Sequence, residues 1–282
     1  MYKIGIVGNG FVGNAVAKGF SKDFNYDAEI KVYDINPDKS LNSLNETVNH
    51  SDYIFLSVPT PASLSGDIDL SILDESLNAI NEVSNNENII LIRSTVVPGT
   101  TREFQNKYPK LNFVFNPEFL TEKNAIHDFA FQTRTILGGE LIYTSKVEEL
   151  YRDRFGEKLD ILKTNFQTAE LVKYMNNLFL ATKVSFLNEM KLLADAVNVD
   201  WDSAIEGFKL DKRVGNSHNN VPGPDGKLGF GGSCFPKDIQ ALINFAKSNK
   251  IDMNVLEGAW KTNLKVRSEK DWEKLKGRAI IE

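Results

Sequence analysis

A short apolar strand followed at once by a glycine turn opens the chain. Residues 3–7 are apolar enough for a buried strand, residues 8–13 read Gly-Asn-Gly-Phe-Val-Gly, and an apolar helical pattern comes next. In such a turn Gly8 makes the tight bend, Gly10 lets backbone approach a pyrophosphate, and Gly13 allows close packing of the helix. This order predicts a parallel sheet with a dinucleotide at the carboxyl end of its first strand.

Asp34 indicates which dinucleotide is bound. It ends a second predicted strand, which begins at residue 29, and lies about twenty residues beyond the last glycine, where a ribose-binding acid is expected. Its carboxylate would accept hydrogen bonds from the ribose hydroxyls and would repel a 2'-phosphate. We therefore expect NAD rather than NADP, with Phe11 and Val12 as further cofactor contacts. The alternative is a turn that binds nothing, with an aspartate that only caps a helix.

Further apolar runs predict more strands of the same sheet. They lie at residues 53–58, 89–92 and 113–115. Such runs suit strands that are buried on both faces. Ligands of an open parallel sheet bind beyond the carboxyl ends of its strands, where Thr60 and Thr95 fall, although either hydroxyl could instead cap a helix. The predicted fold class is α/β, with a Rossmann-type doubly wound parallel sheet followed by an all-helical domain.

A long helix is predicted at the start of the helical domain, because residues 167–197 contain no proline or glycine. Its apolar positions cover more than one stripe, which predicts burial on two faces and a homodimer. Lys173 and Asn177 stand four apart and so share a face of this helix. They interrupt an apolar region, which indicates a functional pair. The alternative is that the lysine extends its ammonium group to solvent and that the asparagine has no role.

Composition excludes several classes of protein. A net charge of -5 over 282 residues argues against nucleic acid as the main partner, since that activity needs a basic face. A single cysteine excludes an internal disulfide, so we expect a cytoplasmic protein. The sequence also has no apolar run long enough for a bilayer, and no signal peptide is expected.

That single cysteine lies in the decapeptide of residues 229–238, Gly-Phe-Gly-Gly-Ser-Cys-Phe-Pro-Lys-Asp. Its three glycines let backbone come close to a ligand, and Lys237 would favour the thiolate of Cys234. We interpret Cys234 as a nucleophile. The alternative is a buried structural thiol beside a glycine turn.

The decapeptide, together with Asn-Pro-Glu-Phe-Leu at residues 116–120, resembles the UDP-glucose 6-dehydrogenase family. The resemblance implies oxidation of UDP-glucose to UDP-glucuronate with NAD, through a thiohemiacetal and then a thioester on Cys234, and without a metal ion. It implies that Lys173 and Asn177 stabilise the oxygen at the reacting carbon. The other implied residues are Glu118, Thr95 and Asp238 for opening the thioester, and Glu118, Phe119, Leu120, Lys173, Asn177, Gly231 and Arg213 for binding substrate.

The resemblance also predicts the domain organisation. Residues 1–165 would bind NAD and end their sheet with the strand at 134–139, residues 166–265 would form the helical dimerisation domain, and residues 266–282 would be a tail. Arg213 would reach a substrate in the neighbouring subunit. Family members continue into a third domain that helps to hold UDP, whereas this sequence stops at its approach.

Three alternatives stay open at the level of sequence. The substrate could be another nucleotide sugar such as GDP-mannose. The chain could be a single-step β-hydroxyacid dehydrogenase, which would have no use for Cys234. It could also be a non-catalytic protein derived from the enzyme by loss of the last domain.

Overall fold

The computed structural model describes residues 1–63, 66–85 and 87–281, and the chain divides into two compact units. The first unit consists of Met1–Thr60 and Leu70–Lys173, and the second of Pro61–Asp69 and Tyr174–Glu282. The predicted domain boundary precedes the long helix, whereas the division between the units falls inside it.

The first unit is built on one sheet, which has seven strands in the described residues. The strands are β1 Lys3–Val7, β2 Glu29–Tyr33, β3 Tyr53–Leu56, β4 Ile89–Ile92, β5 Asn112–Phe115, β6 Arg134–Gly139 and β7 Asp160–Thr164. Their order is β2-β1-β3-β4-β5-β6-β7, and every neighbouring pair is parallel except β5 and β6. The carboxyl ends of β1 to β5 therefore share one edge of the sheet.

Successive side chains of the central strands enter two different hydrophobic clusters. Phe55 and Leu91 belong to one cluster, and their neighbours Leu56 and Ile92 belong to the other. Side chains alternate between the faces of a sheet, so both faces are covered by apolar packing. This explains why β3 and β4 are continuous apolar runs rather than alternating ones.

Strand β7 corrects the expectation that residues 134–139 form the last strand. It pairs in parallel with β6, from Arg134 opposite Asp160 to Gly138 opposite Thr164. β7 lies at the edge of the sheet and is mostly exposed, and even Leu162 keeps 48% of its surface accessible. An exposed edge strand lacks the apolar run that identifies the central strands.

Helices make up most of the remaining regular structure. Those of the first unit are α1 Phe11–Gly19, α2 Leu44–His50, α3 Ser71–Val83, α4 Thr100–Lys107, α5 Ala125–Ala130 and α6 Leu141–Phe155. The long helix α7, Phe166–Ala196, is followed by α8 Trp201–Leu210, α9 Phe235–Ser248 and α10 Asn254–Val266. Short 3₁₀ helices lie at Lys22–Phe24, Pro37–Lys39, Glu122–Asn124, Lys212–Val214 and Asp271–Lys274. Among the residues described, no helix is both long enough and apolar enough to cross a membrane.

The predicted α/β class, with a Rossmann-type sheet followed by a long helix, is confirmed. Helix α7 lies within one residue of its predicted bounds at both ends. Helix α9 carries Pro236 in its first turn. Proline is tolerated there, since the first amide groups of a helix have no partner within the helix.

The end of the chain packs within the second unit. Trp272 is 2% exposed, and its ring centroid lies 5.2 Å from that of Trp260 on α10. Ile280 forms a parallel bridge with Ala62, and the amide of Ile281 donates to the carbonyl of Ala62 at 3.0 Å. Residues 266–281 thus contribute to the core of this unit.

Candidate active site

The glycine turn after β1 has the geometry of a dinucleotide cradle. Gly8 has a φ of +90°, and a Cβ added to Gly13 would lie 2.0 Å from the carbonyl oxygen of Gly8. The backbone conformation of the turn therefore requires glycine at positions 8 and 13. A Cβ added to Gly10 would meet no atom within 4 Å, and Gly10 starts helix α1 without a capping side chain. Open space therefore lies beside the amino end of α1, where backbone amides attract a phosphate.

Asp34 is fixed next to this turn. Its Oδ2 accepts a hydrogen bond from the amide of Asn9 at 2.6 Å, and its Oδ1 accepts one from the amide of Asn36 at 2.8 Å. Each carboxylate oxygen has capacity for a further hydrogen bond. Phe11 and Val12, in the first turn of α1, are half-buried. The residues at this edge of the sheet fit a dinucleotide whose ribose lies against Asp34.

Thr60 and Thr95 follow the neighbouring strands β3 and β4. The Thr60 side chain is buried, and its Oγ1 donates to the carbonyl of Thr95 at 2.8 Å. Ser94, which the sequence reasoning did not single out, donates from its Oγ to the carbonyl of Val58 at 2.7 Å. The two loops at this edge are thus tied together, and the Thr95 side chain is half-buried.

Lys173 and Glu118 form a buried ion pair in the first unit. Lys173, on α7, is 2% exposed, and its Nζ donates to Glu118 Oε1 at 2.8 Å and to the Glu118 carbonyl at 2.6 Å. The other carboxylate oxygen accepts from the amide of Leu120 at 2.6 Å. The Phe119 ring centroid lies 5.4 Å from the ammonium. The structure therefore brings together all of the predicted substrate residues of this unit.

Asn116 anchors the segment that carries Glu118. Its Oδ1 accepts from Nη1 of the buried Arg93 at 2.6 Å, and its Nδ2 donates to Oγ1 of Thr135 at 2.9 Å. Tyr151 donates to the same Oδ1 at 2.5 Å, and burial raises the pKa of its hydroxyl. Sequence reasoning missed Arg93. The available signal was a charge placed directly after the apolar run of β4.

Asp238 is the buried carboxylate of the second unit. It is 1% exposed and accepts from Asn177 Nδ2 and from Lys237 Nζ, each at 2.7 Å. Lys237, which the sequence analysis placed beside the thiol, thus donates to this carboxylate. The amide of Asp238 donates to the carbonyl of Cys234 at 2.8 Å, which places the two residues one turn apart.

Cys234 is the residue that precedes α9, in the N-cap position, and is half-buried. The amino end of a 14-residue helix carries partial positive charge and favours a thiolate over a thiol. Ser233 Oγ lies 3.7 Å from the sulfur. Position 231 favours glycine, because an added Cβ would lie 2.4 Å from a guanidinium nitrogen of Arg267 and would displace it.

Arg213 stands apart from the other predicted residues of its unit. It lies on the 3₁₀ helix Lys212–Val214, its side chain is 90% exposed, and its Nε donates to Asp211 at 2.9 and 3.0 Å. The turn after it is held by Lys183 of α7, whose Nζ donates to the carbonyls of Val214 and Ser217 at 2.9 and 2.6 Å. A contact with a partner subunit stays a prediction for Arg213.

Comparisons with known proteins extend over most of the chain. Residues 37–154 match the model for the NAD binding domain of the UDP-glucose/GDP-mannose dehydrogenase family, and residues 167–265 match the model for its central domain. A UDP-glucose 6-dehydrogenase of Rickettsia bellii is 38% identical over 227 residues, which cover 78% of this chain and 50% of that protein. The chain spans about half the length of the curated relatives that it matches.

Solved structures agree with these matches. A UDP-glucose dehydrogenase of Pyrobaculum islandicum has a TM-score of 0.82 and 30% identity, covering 93% of this chain and 68% of that one. A 3-hydroxyisobutyrate dehydrogenase of Mycobacterium tuberculosis, at 16% identity and a TM-score of 0.75, shares the fold. The resemblance inferred from the motifs and the predicted cofactor NAD are both confirmed by the family matches.

Proposed function

The chain belongs to the UDP-glucose/GDP-mannose dehydrogenase family, and from this premise we propose that it oxidises the primary alcohol of a nucleotide sugar to a carboxylate in two steps. UDP-glucose is the proposed substrate and UDP-glucuronate the proposed product. GDP-mannose and other nucleotide sugars are the alternatives within the same chemistry.

One observation carries the proposal. Helix α7 holds two buried carboxylates through side chains one turn apart, Glu118 through Lys173 and Asp238 through Asn177. Buried charges are costly unless they are paired, so a carboxylate held in this way indicates a function when it lies beside a glycine-rich loop and a thiol, as Asp238 does. A single-step dehydrogenase needs no cysteine, whereas here Cys234 lies one turn from Asp238.

NAD, when bound, supplies the hydride acceptor for both oxidations. Gly8, Gly10 and Gly13 shape the turn that would hold its pyrophosphate, and Asp34 would accept hydrogen bonds from its ribose hydroxyls. The same carboxylate would repel a 2'-phosphate. Titration with both dinucleotides tests this assignment, and equal affinity for NADP would contradict it.

Cys234 is the proposed nucleophile. After the alcohol has become an aldehyde, the thiolate adds to the carbonyl carbon and leaves an alkoxide, which takes a proton to give a thiohemiacetal. Oxidation of that adduct gives a thioester on the same sulfur. Asn177 and Lys173 donate hydrogen bonds to the oxygen at the reacting carbon while it carries negative charge.

Hydrolysis of the thioester completes the proposed reaction. Glu118 accepts a proton from the attacking water, and its fixed position against Lys173 and the Leu120 amide supports this role. Asp238 and Thr95 are proposed to orient the water. The thiolate of Cys234 leaves as the carboxyl group forms and the proton held by Glu118 passes to solvent, so the nucleophile and the base are both restored.

Stoichiometry of turnover is the test of the proposed function. Each sugar consumed should yield two NADH and one acid, measured by absorbance and chromatography over a panel of nucleotide sugars. Cys234→Ala should lower acid formation by at least about a thousandfold, because no covalent adduct can form. One NADH per sugar, or unchanged acid formation by the alanine variant, would favour a single-step dehydrogenase. No turnover with any sugar of the panel would favour a non-catalytic protein.

Glu118→Gln should produce a different defect. The glutamine keeps an oxygen that can accept from Lys173, but it cannot take a proton from water. The thiol is untouched, so an adduct of the sugar should accumulate on Cys234 and be visible in the mass of the intact protein. Rapid turnover without any adduct would remove Glu118 from the mechanism.

A homodimer is proposed from one side of α7. Met175, Phe179 and Phe186 are 61, 68 and 48% exposed and fall on one stripe of the helix. An exposed apolar stripe of this kind fits a self-complementary interface with a second copy. Light scattering should give twice the chain mass, and Phe179→Glu should give the monomer. Leu210→Glu, on an exposed apolar residue of α8, is the matched control and should stay dimeric.

A further inference from the structure

The backbone before Cys234 is held by side chains that come from distant parts of the second unit. The backbone of residues 228–232 forms hydrogen bonds with four side chains. They are Asn188 on α7, Asn263 on α10, Arg267 directly after α10, and Asp271 in the 3₁₀ helix Asp271–Lys274. Glycine loses more conformational freedom on ordering than any other residue, so a run with three glycines is costly to order. Contacts of this kind decide which conformation it keeps.

Asn263 makes the tightest of these contacts. It is fully buried, its Oδ1 accepts from the amide of Phe230 at 2.7 Å, and its Nδ2 donates to the Phe230 carbonyl at 3.0 Å. A Cβ added to Gly229 would lie 2.4 Å from that Oδ1. Glycine at 229 therefore allows the amide side chain to reach the backbone, and Asn188 accepts from the Gly229 amide at 3.0 Å.

Arg267 and Asp271 hold the next part of the loop. Arg267 is 3% exposed, and its Nε donates to Asp271 Oδ1 at 2.6 Å while its Nη2 donates to Asp225 Oδ2 at 2.6 Å. The second oxygen of Asp271 accepts from the amide of Gly232 at 3.0 Å. The guanidinium thus fixes a carboxylate that in turn fixes the backbone two residues before Cys234.

We propose that Asn263 and the Arg267–Asp271 ion pair are positioning residues, which hold the loop so that the thiol of Cys234 stays at the amino end of α9. The positive end of the helix stabilises a thiolate only within about one turn, so the ionisation of the thiol depends on where the loop places it. The inference rests on the proposed function only in that Cys234 is the nucleophile. The contacts themselves require no substrate.

The rate at which Cys234 is alkylated tests the positioning role and requires no enzymatic turnover. Because the chain has one cysteine, the mass of the intact protein after treatment with iodoacetamide reports this thiol alone. The rate is measured from pH 5 to pH 10 to find the pH of half-maximal rate. Asn263→Ala should raise this midpoint by about half a pH unit, which corresponds to about threefold slower alkylation at neutral pH.

Ser185→Ala is the matched control for a lost hydrogen bond. Ser185 is equally buried in the same unit, and its Oγ donates to the carbonyl of Ala259 at 2.7 Å rather than to a residue of the loop. Its midpoint should equal that of the wild type. A shift as large as that of Asn263→Ala would mean that the thiol responds to any loss of stability, and the positioning role would be wrong.

Asp271→Ala gives a second, independent test, since the Asp271 side chain is 29% exposed whereas Asn263 is fully buried. Removing an anion by itself would lower the midpoint, whereas a loosened loop raises it. A raised midpoint therefore supports positioning, and an unchanged or lowered one overturns it even if Asn263→Ala does not fold. If the midpoints shift as expected but no nucleotide sugar is oxidised, the positioning role stands and the proposed function fails.

Discussion

The two glycine-rich loops of this chain are stabilised in different ways. The loop at residues 8–13 is shaped by its own backbone, since Gly8 has a left-handed φ and the Cα of Gly13 packs against the Gly8 carbonyl. The loop at residues 229–232 is shaped by side chains from three other segments of its unit. The first loop should therefore be sensitive at its glycines, and the second also at residues that are distant in sequence.

The largest expected effect tests the first half of this comparison. Gly13→Ala should lower the free energy of unfolding by about 3 kcal/mol, because its Cβ would lie 2.0 Å from a backbone oxygen that cannot rotate away. Chemical denaturation measures this change. Gly10→Ala is the control, since its Cβ meets open space, and it should weaken NAD binding while leaving unfolding unchanged. Equal stability losses in the two variants would contradict the account of this turn.

A smaller effect is expected in the second loop. Gly231→Ala should lower the free energy of unfolding by about 2 kcal/mol, because its Cβ would displace Arg267 and Asp271, which are side chains and can shift. Gly207→Ala in α8 meets no atom and should be neutral or slightly stabilising, as expected from helix propensity. Denaturation curves of both variants make the comparison. A loss larger than that of Gly13→Ala would reverse the proposed difference between the loops.

The smallest expected effect depends on pH. His218 packs on Phe235, the residue after Cys234, at 5.5 Å between ring centroids, and burial followed by the charge of Lys183 lowers its pKa. The unfolded chain therefore takes up this proton at a higher pH than the folded chain. The stability contributed by neutral His218 is present above about pH 6.5 and is lost as the pH falls through the lowered pKa.

Protonation of His218 should lower the free energy of unfolding by at most about 1.4 kcal/mol per pH unit, measured by denaturation between pH 7 and pH 5. His218→Gln should flatten that part of the profile. His127→Gln changes an exposed histidine of the first unit and should leave the slope as in the wild type. An unaltered slope in His218→Gln would show that another group is responsible.

The sequence predicts the first loop better than the second. Strands β1, β4 and β5 and helix α7 were predictable to within one residue, because apolar runs and the absence of breakers are local signals. The cradle around Gly8 to Gly13 and Asp34 was predictable for the same reason. The supports of the second loop were not, since Asn263 and Arg267 lie some thirty residues beyond it and resemble any polar residues of a half-exposed helix.

The candidate site was predictable as a set of residues but not as a set of contacts. The motifs identified Glu118, Lys173, Asn177 and Asp238, and only the structure pairs them as Lys173 with Glu118 and Asn177 with Asp238. The start of α9 at Phe235 is ambiguous in the sequence, because Pro236 could either end a loop or lie in the first turn of a helix. A proline is compatible with both, and only packing decides between them.

The four-residue spacing of Lys173 and Asn177 also has a consequence for how such a chain can evolve. A helix turns by about 100° per residue, so one residue inserted between them would carry Asn177 away from the face that Lys173 occupies. Surface loops accept insertions at little cost, and orthologous chains are expected to differ in length there. The turn of α7 between these two side chains should instead keep a constant length in every lineage that retains both carboxylate pairs.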